Sequence, residues 1–116
     1  MGEAKVDGGD DAARIAYLES FGWTVNPDPV SIEELLIPKE FDETYTEYLT
    51  LQEQQGFDLK RYRGKRVKRY CYEITNYPSG ETGVQAGLLV HQGTIIGGDV
   101  LSSRLDGFIH GLNMPK

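Results

Sequence analysis

At 116 residues with 39% hydrophobic side chains, the chain is the size of one domain and can bury a core without a metal or a disulfide. Its lone cysteine excludes an internal disulfide and any multi-cysteine metal site, and no run approaches the roughly 18 apolar residues that span a bilayer. A net charge of −6 hides an asymmetry: residues 1–59 carry 14 acids against 3 bases, residues 60–116 carry 9 bases against 4 acids.

Residues 1–9 are rich in Gly and Asp and lack the apolar stretch of a signal peptide, so they are expected to be a disordered lead to one domain at 10–116. Asp10 or Asp11 can cap a helix running to about Phe21, with Ile15 and Leu18 on one side and Gly22 as its stop. Trp23-Thr24-Val25 opens an extended segment, and Asn26-Pro27-Asp28-Pro29 excludes helix. Val30 to Ile37 fits either a short helix capped by Ser31 or a strand ended by Pro38, and the strand is preferred. A second helix is predicted from Lys39 to Gln55, with Phe41, Tyr45, Tyr48 and Leu49 as its apolar stripe and Gly56 as its end.

After a loop from Phe57 to Gly64, residues 65–77 alternate, with Tyr70, Tyr72 and Ile74 on one face and Arg69, Glu73 and Thr75 on the other. Val84–His91 and Thr94–Leu101 form a hairpin through Gln92-Gly93, with Val90 opposite Ile95. An unbroken register would bring Asp99 onto the face of Val90, so a β-bulge is expected at Gly97-Gly98, turning Val100 inward. A helical turn around Asp106–Ile109 closes the chain. The order α-β-α-β-β-β predicts an α+β fold: an antiparallel sheet of about four strands with both helices on one face and the other face open.

The stretch from Lys60 to Tyr70 interleaves bases with tyrosines. Arg61, Tyr62, Arg63 and Arg66 are therefore candidate binding residues, because guanidinium groups hold anions and rings stack. An isoelectric point near 4.8 argues against a nucleic-acid partner, and these bases are expected to offset the acidic first half of the chain. His91 and Asp99 are further candidates for binding. With His110 and Asp106 they make the one set that resembles catalytic or metal-binding chemistry, since a His beside a carboxylate can act as base or ligand. No ligand spacing joins them, and two histidines are few. Ile96-Gly97-Gly98-Asp99 is no phosphate loop, as no Lys follows the glycines. Cys71, between two tyrosines on a strand, is a structural thiol. No cofactor is expected.

Gly56-Phe57-Asp58-Leu59, Tyr62-Arg63-Gly64-Lys65, Asn76-Tyr77-Pro78, Ile95-Ile96-Gly97-Gly98-Asp99-Val100 and Leu105-Asp106-Gly107-Phe108 form a set, with Phe21-Gly22-Trp23 before them. Together they resemble an uncharacterised family of small domains from Gram-positive, often gut-dwelling, bacteria. The resemblance carries no catalytic motif. It implies a domain outside the membrane, tethered through a segment that is not in this sequence. The expectation is a non-enzymatic binding or interaction module for a protein or small-molecule partner, with no membrane insertion of its own. The alternative is a small enzyme or metal-binding domain using His91, Asp99 and His110.

Overall fold

The computed structural model describes residues 6–104 and 107–115, and after a two-residue strand, β1 (Val6–Asp7), it enters the first helix predicted from sequence. Asp10 accepts a hydrogen bond from the Ala13 N–H at 2.8 Å and starts α1 (Asp11–Glu19). Gly22, at φ +95°, turns the chain away. Val25 makes a single bridge to Ile74, and β2 (Ser31–Leu36) is a strand, as preferred. α2 (Glu43–Gln54) begins four residues later than the apolar stripe suggested, because Asp42 takes the cap by accepting from the Tyr45 N–H at 2.8 Å. A short 3₁₀ helix (Leu59–Tyr62) occupies the predicted loop. Then follow β3 (Arg66–Glu73), β4 (Val84–His91), β5 (Thr94–Ser102) and β6 (Ile109–His110).

The fold is α+β with an antiparallel sheet in the order β1-β5-β4-β3-β2, and β6 also pairs with β5. Residues 6–8, expected in the disordered lead, are held: β1 pairs with Thr94 and Ile95, and the Gly8 N–H bonds to the Gly93 carbonyl at 2.9 Å. Residues 1–5 lie outside the described residues. At the other end, Leu105 and Asp106 also lie outside them, Asp106 being the first residue of the predicted helical turn. Ile109, the last residue of that turn, is strand instead and, with His110 after it, lies opposite Leu101 and Val100.

The two helices pack on opposite faces of the sheet, not on one. Side chains alternate along a strand, so the two core clusters identify the faces. Ile15 and Leu18 of α1 join Tyr72, Val84, Ala86, Leu88 and Val100. Tyr45, Tyr48 and Leu49 of α2 join Val67, Leu89 and Ile96, the intervening positions. Sequence patterning missed this because Gly87-Leu88-Leu89-Val90 is a continuous apolar run, the signature of a strand buried on both sides.

The hairpin register begins as predicted, with Val90 opposite Ile95, and then shifts. Leu89 faces Gly97, which leaves Ile96 as the extra residue of the bulge. The shift puts Ala86 opposite Val100, which is fully buried, as expected. The bulge thus lies at Ile96-Gly97, one residue before the expected pair, and neither glycine has a positive φ. Their role is clearance: a Cβ on Gly98 would come within 2.6 Å of Leu112 Cδ1.

Candidate functional site

Asp99 is completely buried on the α2 face. Arg69 holds it with two bonds, Nη1 to Oδ2 at 2.7 Å and Nη2 to Oδ1 at 2.9 Å, and the Tyr48 hydroxyl donates to Oδ2 at 2.7 Å. The pair spans the middle strand. Arg69 lies on β3, Asp99 on β5, and the guanidinium lies over Gly87 of β4, whose missing side chain leaves the room. Burial raises the Tyr48 phenol, and the Asp99 charge adds to that. The carboxylate accepts three hydrogen bonds from its own fold and brackets β3, β5 and α2 together.

A second bracket sits on the α1 face. Arg14 donates through Nε to the Tyr72 hydroxyl at 2.8 Å, through Nη1 to the Gly8 carbonyl at 2.6 Å and through Nη2 to Asp11 at 2.8 Å, while its guanidinium stacks on the Tyr70 ring. The Tyr72 hydroxyl donates to Asp11 at 2.6 Å. These bonds, from Tyr72 first and then Arg14, hold Asp11 below the usual carboxylate range, and burial pushes the Tyr72 phenol up to about 12. Every buried side-chain nitrogen and oxygen among the described residues has a partner.

The three residues of the catalytic alternative are not brought together. His91 faces Thr94 and His110 faces Val100 on β5, six residues and roughly 20 Å along the strand. Asp99 lies on the α2 face, committed to Arg69. His91 packs its ring against Tyr62 at 5.1 Å, which joins two of the predicted binding residues. His110 bonds through Nε2 to the Tyr77 hydroxyl at 2.9 Å and stacks on Phe108, ending a ladder of rings that begins at Trp23. Of the predicted basic set, Arg63 rests on the Phe41 ring and Arg66 lies 3.8 Å from Glu34. Among the described residues no three His, Cys, Asp or Glu side chains are grouped as metal ligands.

The two sheet edges are treated very differently. β5 is covered along its length by β1 at one end, β6 at the other, and an amide clamp between them. There Gln52, fully buried, accepts from the Gly98 N–H at 2.9 Å and donates to its carbonyl at 3.0 Å, as a neighbouring strand would. Gln55 donates to the same carbonyl at 2.9 Å. β2 ends the strand order at the other side, with no neighbour beyond it among the described residues. Val30, Ile32 and Leu36 are 55%, 58% and 59% exposed there. Beside them on the α1 face lies a groove of about 320 Å³ lined by Glu34, Arg66, Lys68, Tyr70 and Val90. Sequence reasoning passed over Ile32 and Leu36. The available signal was a strand with two adjacent glutamates closed by Pro38, a pattern of edge strands.

The sequence pattern of a family described as a domain of unknown function, DUF4830, matches residues 17–100. No curated protein and no solved structure gives a significant match.

Proposed function

The chain belongs to the DUF4830 family, whose description names no activity, and we propose that it is a non-enzymatic interaction module whose recognition surface is the β2 edge with the adjoining α1-face groove. The observation that carries this reading is the contrast between the edges. A fold that seals β5 with two added strands and a buried glutamine leaves the outer edge of β2 without a strand among the described residues, with two large apolar side chains exposed. The brackets at Asp99 and Asp11 support the same reading, since the buried carboxylate and arginines are used up in holding elements together. Display outside a Gram-positive membrane, tethered through an upstream segment, is part of the proposal and rests on the resemblance of the sequence motifs.

A photoreactive residue in place of Ile32 should crosslink a partner that the same probe in place of Glu19 does not. The partner, once purified, should bind the domain and lose that binding on combined Ile32→Glu and Leu36→Glu. Turnover of any substrate in a broad hydrolase and transferase screen, abolished by His91→Ala or His110→Ala, would overturn the reading. Protease added to intact cells of the source organism should degrade the domain if it is displayed outside.

A further inference from the structure

Resting on that reading, we infer that the partner supplies an extended segment carrying apolar, basic and apolar residues at alternate positions, which adds to β2 as a further antiparallel strand. The geometry begins with the main chain. The Ile37 N–H bonds to the Lys65 carbonyl at 2.9 Å, and Ile37 continues the register in which Leu35 faces Val67. Hydrogen-bonding direction alternates along a strand, so the odd residues of β2 are turned to β3. The N–H and C=O groups of Ile32, Glu34 and Leu36 therefore point to the open edge. These are also the residues whose side chains share the α1 face, opposite Tyr70, Lys68 and Arg66. An added strand would thus meet Ile32, Glu34 and Leu36 directly, and side chains opposite one another on a sheet select each other by polarity and charge.

The same glutamates reject a second copy of the chain. A two-fold axis that preserves the sheet faces sets one residue of β2 opposite itself. The two registers that keep most of β2 paired put Glu33 opposite Glu33 or Glu34 opposite Glu34, and like charges placed so are repelled. A partner with a lysine or arginine at that position meets the reverse situation. The apolar residues flanking it cover Ile32 and Leu36, which the free domain leaves in water.

The probe is a synthetic peptide with Val-x-Lys-x-Val on one face, the intervening residues being N-methylated threonines so that only one edge can pair. Added to the intact domain, it should shift the amide resonances of Ile32, Glu34 and Leu36 and slow their hydrogen exchange. The same peptide with Glu for Lys should bind about ten-fold more weakly. Glu34→Lys should reverse that preference. Glu34→Pro, which removes only an outward N–H, should keep the folded circular dichroism spectrum and lose the peptide. Equal binding of the two peptides, no change at those amides, or a preference unmoved by Glu34→Lys sinks strand addition. If a crosslinked partner nevertheless depends on Ile32 and Leu36, the interaction module survives and only the mode of binding is wrong.

Discussion

At the residue scale the decisive position is a glycine. Gly87 carries the Arg69–Asp99 bridge over its bare backbone, and a Cβ there would overlap the guanidinium, with Arg69 Cζ at 2.6 Å. Gly87→Ala is therefore expected to break the bridge and leave the buried Asp99 unpaired, costing about 3 kcal/mol in urea unfolding. With Arg69 and Asp99 both replaced by Met the same substitution should cost much less, which separates the bridge from general crowding. The second bracket gives a pH dependence of known sign. Asp11 titrates lower in the folded chain than when unfolded, through its bonds from Tyr72 and Arg14, so its contribution is present above about pH 4 and lost as pH falls through the folded value. Tyr72, raised by burial to about 12, contributes fully below about pH 10 and loses that contribution between there and its folded value. Thermal unfolding of Asp11→Asn should show a shallower acid slope than the parent, and Tyr72→Phe a shallower alkaline one.

At the scale of elements, the β4–β5 hairpin turns through Gln92 at φ +49° and Gly93 at φ +78°, both left-handed. That is the geometry for which Asn-Gly is preferred, and glutamine tolerates it poorly. Gln92→Asn should raise stability by about 0.5 kcal/mol, read as a higher melting temperature with unchanged peptide binding at β2. The hairpin was legible in the sequence because two apolar runs flank a turn pair, and β2 because Pro38 cuts off the competing helix. β1 and β6 were not legible. Each is two residues long and exists because the β5 edge needs a partner, a tertiary demand with no local pattern. The placement of the helices was hidden for a similar reason: β4 is apolar at nearly every position, so alternation could not assign its faces. The bracket around Asp99 joins residues 48, 69, 87 and 99, and no spacing in the chain announces it.

At the scale of the whole molecule, the charge asymmetry of the sequence becomes a set of pairings between its halves. Lys60 meets Glu53 at 3.1 Å and Arg66 meets Glu34 at 3.8 Å, while Arg69 pairs with Asp99 inside the second half. Arg63 adds its guanidinium to the Phe41 ring. The first two pairs are exposed on both sides, and such pairs contribute little one at a time, roughly 0–1 kcal/mol each. Their effect is collective and screened by salt. Replacing Arg61, Arg63 and Arg66 together by Gln should lower stability by about 1 kcal/mol at low salt and by less at high salt. Because bases in the 60–69 stretch are set against acids of the same chain, and the whole carries a net charge of −6, the domain should not bind generic DNA or RNA at physiological salt. Fluorescence anisotropy with labelled single- and double-stranded oligonucleotides checks this. Micromolar affinity with a steep salt slope, lost in the triple variant, would make the basic stretch a nucleic-acid site and remove its role as an internal counterweight.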